Sequence, residues 1–379
     1  MKFSFVITYR DRDPEAVRNN IHSLLGQTVQ DFEICFVDYG SQEKNRQAIV
    51  TLLEGQPKVR YRYVHTRGHL WCRSHANNLG VALAQGEFVV MVDVDLIYPP
   101  FFLERITPYL AADKQLLYYC YFAPQSFTAY ETLDWEQPLS FRQASPTLTE
   151  TGLVIQPRQA FQDVGYFDEY YKVWGVEDAE FNERVQQAGY QPQKIPLEEL
   201  FTLHQWHPSN ARRDAMPQNW LTFMRKRKQQ TTQLADRRYL PAYSHPRPLT
   251  AIAENNAQAP DISLSFTLPL SQAYNHFYKA FTQLRAGEVL YVKQDFGEII
   301  LDENSSKIAR LAAFLNKQLA RRGVAYRIVE PRTYEQGEIL DFYAVRDFIY
   351  YFLVTFESSF EDYYLDIQPP HTLRLYLRK

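Results

Sequence analysis

The chain has 379 residues, 45% of them hydrophobic and 15% aromatic, and a formal net charge of -3. This length allows two domains with a substantial core, and the charge excludes the basic excess that is typical of a nucleic-acid-binding protein. No apolar run approaches the roughly 20 residues that a transmembrane helix needs, and three scattered cysteines indicate reduced thiols, so we expect a cytoplasmic protein without a transmembrane segment.

The first part of the chain alternates strand-like runs with amphipathic helices. The runs Phe3–Thr8, Phe32–Val37 and Val59–Val64 predict three strands, and helices are predicted from Pro14 and from about Gln42. This β-α-β-α-β order predicts a parallel sheet with right-handed crossovers, in the α/β class.

Polar residues follow the first two predicted strands and should therefore meet at one rim of the sheet. Arg10 and Arg12 can offer positive charge to phosphates, and Asp38 can accept a hydrogen bond from a base or a ribose hydroxyl. Taken singly, each residue also fits an ordinary surface turn, and the sequence leaves that alternative open.

The segment Gly86–Pro99 contains the most informative pattern of the chain. Its run Phe88–Val92 predicts a strand buried on both faces, and the run stops at Asp93 and Asp95. Two acids two residues apart project the same way at the end of a strand, where open α/β sheets bind their ligands. We therefore expect a site for a divalent metal that can take a diphosphate. A solvated turn is the alternative.

Two later segments carry further candidate groups. Glu177 and Asp178 begin a predicted helix directly after Trp174, so they are either functional carboxylates or ordinary acidic residues of a first helical turn. His204 and His207 lie three residues apart, and this pair could complete a metal site begun by Asp95.

The remaining third is predicted to be a separate unit. Proline-rich residues 241–261 read as a linker, which leaves domains of 1–240 and 262–379. The latter mixes strand and helix patterns and predicts a smaller α/β or α+β domain of unknown role. The basic run Arg225–Lys228 predicts a solvated helix face, with contact to an anionic membrane as the alternative.

Taken together, four segments resemble the β-1,4-galactosyltransferase family, within the broader group of family 2 nucleotide-sugar glycosyltransferases. Ile7–Arg12 is similar to that family's I-P-F-R-x-R pattern, and Trp71–Gly80 to its F-N-R-A-x-x-x-N-x-G pattern. Asp93–Ile97 reads D-V-D-L-I, as in the family, and Trp174–Asn182 is similar to W-G-G-E-D-x-x-F-N. The resemblance covers roughly residues 1 to 215 and implies the GT-A fold: a Rossmann-like, mainly parallel sheet with helices on both faces.

The resemblance also implies roles for individual residues. Asp95 would bind a metal with His204, His207 or both, and Mn²⁺ is expected before Mg²⁺ because imidazole suits it better. Asp178 would be the general base and Glu177 would position sugar hydroxyls. The residues expected to hold the nucleotide-sugar are Thr8, Tyr9, Arg10, Arg12, Asp38, Arg73, Asp93, Val94 and Trp174.

The expected function is that of a metal-dependent, inverting glycosyltransferase. It would move a sugar of the Gal, GalNAc or GlcNAc class from a UDP-sugar to a hydroxyl of a glycan acceptor, in the synthesis of a polysaccharide or glycoconjugate. Two rivals are a nucleotidyltransferase of similar fold and a non-catalytic carbohydrate-binding scaffold. The expected location is the cytoplasm, and peripheral contact with the inner face of the membrane stays open.

Overall fold

The computed structural model describes residues 1–130, 133–135, 147–148, 153–207, 216–231, 260–267, 269–296 and 341–379. The chain forms two compact units, Met1–Thr250 and Ala251–Lys379. The predicted linker, 241–261, lies outside the described residues apart from Pro260 and Asp261. The bounds of the two predicted domains therefore remain a prediction.

A mainly parallel sheet of seven strands forms the centre of the first unit, as the sequence predicts. Its strand order is β10-β6-β9-β4-β1-β2-β3, and β9 runs antiparallel to both of its neighbours. The α/β class and the Rossmann-like arrangement are thereby confirmed. The strands are β1 Phe3–Tyr9, β2 Phe32–Asp38, β3 Val59–Tyr63, β4 Phe88–Val92, β6 Lys114–Leu117, β9 Ile155–Pro157 and β10 Gln191–Lys194.

Helices cover both faces of this sheet because neighbouring residues of a strand point to opposite sides. Phe5 packs into a core with residues of α1, α2 and α4, whereas Val6 packs into another core with residues of α3, α5 and α6. Both faces of the sheet are therefore buried, which explains why the residues of β1 form a continuous apolar run. The helices are α1 Pro14–Leu25, α2 Glu43–Leu53, α3 Arg73–Leu83, α4 Phe102–Ile106, α5 Arg158–Asp163 and α6 Glu177–Gln187, with α7 Trp220–Thr231 following in the same unit.

A smaller second sheet lies beside the first and was not predicted. The apolar run predicts one strand from Leu116 to Phe122, but the strand is interrupted at Tyr118. The side chain of Tyr118 is fully buried against the rings of Tyr98 and Phe102. The part before the break joins the central sheet and the part after it joins the second. The second sheet has the order β5-β11-β7-β8, with β5 Leu96–Ile97, β7 Tyr119–Phe122, β8 Thr147–Leu148 and β11 Phe201–His204.

The second unit contains a four-stranded sheet in the order β12-β13-β15-β14. The predicted aromatic helix near residues 344–356 is present, and its Phe348 ring stacks on Tyr274 at 4.1 Å. That contact makes the aromatic cluster part of a helix-helix core. Predicted elements between residues 299 and 329 lie outside the described residues. The elements are β12 Ile262–Leu264, α8 Leu270–Gln283, β13 Val289–Asp295, α9 Phe342–Thr355, β14 Asp362–Gln368 and β15 Thr372–Arg378.

The basic run on α7 is only partly solvated. Arg227 pairs with Asp168 at 3.2 Å and Lys228 with Glu183 at 2.8 Å, whereas Arg225 and Lys226 are exposed. Within the described ranges, none of the helices combines the length and apolar character that crossing a bilayer requires.

The packing of α3 on the central sheet generates a stability prediction. A Cβ atom added at Gly80 would lie 2.4 Å from Cγ1 of Val6, and the β-branched Val6 is fully buried with little rotamer freedom. Overpacking should outweigh the gain in helix propensity, so we expect Gly80→Ala to lower the free energy of unfolding by about 1–3 kcal/mol. Urea unfolding with an unchanged m-value measures this.

The control for this prediction lies on the same helix. Ala82 is exposed, so Ala82→Leu adds more volume than Gly80→Ala without entering the core, and its stability should stay within about 0.5 kcal/mol of the parent. Equal stability of Gly80→Ala and the parent would show that α3 does not approach β1 as closely as described.

Candidate active site

The turn after β4 places two carboxylates at the carboxyl edge of the central sheet. The amide of Leu96 donates to the carbonyl of Asp93 at 3.2 Å and closes the turn. Asp95 is only 6% exposed, whereas the side chain of Asp93 is open to solvent over more than a third of its surface. The two acids of the D-V-D segment therefore have different surroundings.

Asp95 faces both histidines that the sequence singled out. Nε2 of His204 lies 3.4 Å from Oδ1 of Asp95, and Nε2 of His207 lies 3.3 Å from Oδ2. The potential ligand atoms of all three residues lie within 4.8 Å of one another. One carboxylate and two imidazoles at this spacing form a candidate site for a divalent ion.

The second sheet brings these residues together. β5, which directly follows the D-V-D turn, pairs antiparallel with β11, so that Leu96 is in register with His204. The amide of Gln205 donates to the carbonyl of Asp95 at 2.8 Å. Backbone pairing thus holds the histidine segment against the acidic turn.

Two observations test whether the three side chains fit a metal. Nδ1 of His204 lies 2.7 Å from the carbonyl oxygen of Gln205, and because a carbonyl only accepts, Nδ1 must carry the proton. In the neutral form of His204, the lone pair of Nε2 is then directed at Asp95, the arrangement in which a histidine binds a metal. Oδ1 of Asp95 is buried and accepts no hydrogen bond from the described residues. The donor set therefore fits a divalent ion.

Nearby positive charge keeps Asp95 ionised. Burial raises the pKa of its carboxyl, but the hydrogen bond with His207 and the charges of His204 and Arg12 outweigh burial, so that the pKa lies below its ordinary value. Nη2 of Arg12 is 3.7 Å from Oδ2 of Asp95. Arg12 thus lies at the candidate metal site, where it could also meet a phosphate.

Gln205 anchors the histidine segment to α1 and was not among the predicted site residues. Its side chain is buried, donates to the carbonyl of Ala16 at 2.9 Å and accepts from the amide of Asn19 at 3.0 Å. The only sequence signal was a polar residue between the two histidines. It acts through the histidines, whose backbone it holds in place.

Arg73, at the start of α3, joins the D-V-D turn to α6. One guanidinium nitrogen lies 2.7 Å from Asp93, and another lies 2.8 Å from Asp178 and 3.8 Å from Glu177. The predicted general base is therefore tied to the acidic turn through one cation. Arg73 was predicted to hold the nucleotide, and its observed partners are three carboxylates.

Glu177, the first residue of α6, has a raised pKa. Burial and the neighbouring charge of Asp178 raise the pKa of Glu177 to about 7, although Arg73 opposes the shift. Asp178 holds Arg73 with Oδ2, and its Oδ1 is buried without a hydrogen-bond partner among the described residues. Near neutral pH, Glu177 can therefore donate a hydrogen bond.

The loop before α6 is unusual in its backbone. Val173, Gly175 and Val176 have φ values of 66°, 107° and 63°, a left-handed region that a β-branched residue such as Val176 rarely adopts. Val176 stands where the resembling pattern has a second glycine. Trp174, between them, is 52% exposed. The loop therefore presents a large apolar ring to solvent beside the two acids.

Arg10 and Asp38 are engaged within the protein. Arg10 donates to the carbonyls of Tyr39, His69 and Thr66 at 2.5–3.0 Å. Asp38 accepts from the amide of Ser41 at 3.0 Å and from the hydroxyl of Tyr61 at 3.1 Å. These contacts give both residues a part in shaping the rim, and direct contact with a nucleotide remains a prediction for them.

Three other predicted nucleotide contacts are buried in the rim. Thr8 and Tyr9 end β1, and Val94 lies between the two acids of the turn. The hydroxyl of Tyr9 donates to the carbonyl of Arg12 at 2.9 Å and so supports the loop that carries Arg12. Their direct contact with a ligand also remains a prediction.

Comparison with known proteins shows that the chain is similar to glycosyltransferases. Residues 4–170 match the family described as glycosyl transferase family 2, and residues 136–207 match the N-terminal domain of galactosyltransferase. An uncharacterized glycosyltransferase of Nostoc sp., alr2836, is 38% identical over 87 residues. That match covers 23% of this chain and 26% of the length of that protein.

Solved structures with a similar fold include S. aureus TarS in complex with UDP-GlcNAc. It is 14% identical with a TM-score of 0.44, over 84% of this chain and 73% of that chain. GalNAc-T7 with UDP, GalNAc and Mn²⁺ is 15% identical with a TM-score of 0.45, over 60% of this chain and 48% of that chain.

The raised pKa of Glu177 predicts how stability depends on pH. The folded protein keeps a proton on Glu177 up to about pH 7, whereas the unfolded chain releases it near pH 4.5. This contribution to stability is therefore complete below pH 4.5 and is lost as the pH rises through about 7. Glu177→Gln, which stays neutral, should gain up to about 3 kcal/mol relative to the parent between pH 4.5 and pH 8.

Urea unfolding of both proteins in EDTA at several pH values measures the difference between them. Glu183→Gln is the control, because Glu183 lies on the same helix and is only half-buried, so its difference from the parent should change little with pH. A Glu177→Gln difference that stays constant from pH 4.5 to pH 8 would contradict a neutral Glu177.

Proposed function

We propose, on the premise that residues 4–170 match glycosyl transferase family 2, that the protein is a metal-dependent glycosyltransferase. It would transfer a sugar of the Gal, GalNAc or GlcNAc class from a UDP-sugar to a hydroxyl group of a glycan acceptor, with inversion. The observation that carries the proposal is the convergence of Asp95, His204 and His207 at the sheet edge that also holds Asp178 through Arg73.

The metal would be held by Asp95, His204 and His207, and the two imidazoles favour Mn²⁺ over Mg²⁺. When bound, a divalent ion at this site neutralises negative charge on a diphosphate. Arg12 lies beside Asp95 and can add a second positive charge at the same place. This arrangement suits a leaving group that gains charge as its bond to the sugar breaks.

Asp178 is the residue best placed to act as the general base. Arg73 holds its Oδ2, which leaves Oδ1 to accept a proton. In the proposed step the acceptor oxygen forms a bond to the anomeric carbon and loses its proton to Asp178. The bond from that carbon to the diphosphate breaks, and UDP leaves with the electron pair. A single displacement of this kind inverts the anomeric configuration.

The neighbouring residues would position the reactants. Glu177, protonated near neutral pH, can donate a hydrogen bond to a sugar hydroxyl. Trp174 can cover the donor, since its ring is exposed beside the two acids. The ties of Arg10 to three backbone carbonyls would fix the shape of the nucleotide-facing rim.

The setting we propose is the cytoplasm, in the synthesis of a polysaccharide or glycoconjugate. Cys35, Cys72 and Cys120 are buried and form no disulfide within the described ranges, which suits a reducing compartment. The exposed pair Arg225 and Lys226 leaves peripheral contact with anionic lipid open.

The proposal is tested with UDP-glucose, UDP-galactose, UDP-GlcNAc and UDP-GalNAc, each incubated with the protein and Mn²⁺ without acceptor. We expect UDP and free sugar from at least one donor. Release of UMP and sugar phosphate would indicate nucleotidyltransferase-like chemistry instead, and intact donors throughout would favour a non-catalytic scaffold. With a reactive donor, Asp178→Asn should lower kcat by about 10²–10⁴-fold.

The control for the base is Glu183→Gln on the same helix, which should keep the parent kcat because Glu183 is half-buried and pairs with Lys228, away from Arg73. The donor KM of Asp178→Asn should stay within about threefold of the parent, since only the proton acceptor is lost. Near-normal turnover by a folded Asp178→Asn protein would remove Asp178 from the role.

Removal of either imidazole should weaken Mn²⁺ binding. We expect His204→Ala and His207→Ala each to raise the dissociation constant for Mn²⁺ by about tenfold or more, because each Nε2 faces Asp95. Electron paramagnetic resonance of free Mn²⁺ measures this without donor or acceptor. His65→Ala is the control, since His65 is exposed and lies in another part of the unit.

The pattern of losses identifies the ligands. A loss in both variants supports two imidazole ligands, and a loss in one variant alone identifies a single histidine ligand. Mn²⁺ binding that survives both substitutions, and survives Asp95→Ala as well, would contradict a metal site at these residues.

A further inference from the structure

Exposed large apolar side chains are rare in the described part of the chain, and most of them lie at the candidate site. Apart from the terminal Met1, they are Phe122, Trp174 and Trp206, which are 54%, 52% and 43% exposed. A folded protein rarely leaves several large rings in water at one place unless they form a binding surface. Trp174 already has a proposed role, and Phe122 and Trp206 do not.

Phe122 lies directly on one of the candidate metal ligands. It ends β7 in register with His204 of β11, and the two ring centroids are 4.9 Å apart at an angle of 35°. The amide of Ala123 donates to the carbonyl of His204 at 2.9 Å, so the backbone after Phe122 is fixed. The ring is therefore held in place while more than half of its surface faces solvent.

Trp206 lies between the two histidines in sequence. Its amide donates to the hydroxyl of Tyr130 at 3.2 Å, and the ring of Tyr130 packs edge-on against Phe127 at 5.0 Å. The backbone of Trp206 is thus anchored, although its indole is exposed. An anchored aromatic ring loses little conformational entropy on binding a ligand.

We propose that Phe122 and Trp206 form a subsite that binds a saccharide ring of the acceptor, an inference that rests on the proposed function. One face of a sugar ring is lined with C–H groups and its edge with hydroxyls, so it can lie against an aromatic ring while its hydroxyls stay hydrated. The two aromatic residues adjoin the histidines of the candidate metal site, and Arg73 ties the same sheet edge to Asp178.

The position of the pair in the fold favours the acceptor over the donor nucleotide. The rim residues expected to face the nucleotide follow β1 and β2 of the central sheet, whereas Phe122 ends β7 and Trp206 follows β11 of the second sheet. The aromatic pair therefore belongs to a different sheet from the rim that is expected to face the nucleotide, which leaves the pair available to the acceptor.

The test uses the donor that the parent protein hydrolyses, with chitotriose, cellotriose and lactose as acceptor probes. For the probe that accepts sugar best, we expect Phe122→Ala and Trp206→Ala each to raise the acceptor KM by about tenfold, as for the loss of one buried ring contact. Hydrolysis without acceptor should change less than about twofold. Phe122→Tyr and Trp206→Phe, which keep a ring, should restore most of the acceptor affinity.

Two controls separate the subsite from damage to the metal site. The Mn²⁺ concentration that gives half-maximal hydrolysis should be unchanged in both alanine variants. Tyr109→Ala removes a surface ring whose hydroxyl donates to Glu199 and which precedes the amino end of β6, away from the carboxyl edge, so it should leave the acceptor KM unchanged.

The outcomes distinguish this inference from the proposed function. Normal acceptor KM in both alanine variants would overturn the subsite, and a raised donor KM would assign the rings to the nucleotide instead. The parent protein could hydrolyse a donor while none of the three probes changes the rate of hydrolysis or the tryptophan fluorescence of the protein. That result would show that a neutral saccharide is not the ligand of this subsite. If no donor is hydrolysed, the transferase proposal fails, and saccharide binding that depends on Phe122 would still support the subsite.

Discussion

The site depends on one half-buried arginine that holds two distant segments together. Arg73 contacts Asp93, which directly follows β4, and Asp178 at the start of α6, which lies 105 positions after Arg73 in the chain. Burying charges is costly unless each has a partner. The ion pairs of Arg73 with Asp93 and Asp178 therefore favour the arrangement in which the D-V-D turn lies next to the start of α6.

The position of Arg73 also contributes to the different pKa values of the neighbouring acids. A single cation cannot neutralise three nearby carboxylates in a partly dry site, so the most buried one, Glu177, keeps its proton to a higher pH. Asp95 lies beside Arg12 and two histidines, and their combined effect holds its pKa below the ordinary value.

The sequence predicted the parts of the fold that depend on local pattern. Alternating strands and helices of the first unit follow from apolar runs and helical spacing, and the D-V-D turn was located because a buried strand must end where its apolar run ends. The break at Tyr118 was missed because Leu116–Phe122 is continuously apolar or aromatic. What divides it is the tertiary packing of Tyr118 on Tyr98 and Phe102, which leaves no local signal.

The sequence predicted which residues form the candidate metal site better than it predicted the contacts that other site residues make. The spacing of His204 and His207 and their order after Asp95 suggested one cluster, and the structure brings the three together. The engagement of Arg10 could not be foreseen, because its acceptors are backbone carbonyls, which every residue carries. In the same way, the carboxylate partners of Arg73 could not be foreseen, and its contact with the nucleotide stays a prediction.

The second sheet explains why chemistry and acceptor selection can be linked in this fold. β5 and β7 flank β11, so the strand that ends at His204 is fixed on one side by the D-V-D segment and on the other by the strand that carries Phe122. A shift of β11 by one residue would turn His204 away from Asp95 and from Phe122 together, because side chains alternate along a strand. The geometry of the metal site and that of the exposed aromatic surface are therefore set by the same backbone register.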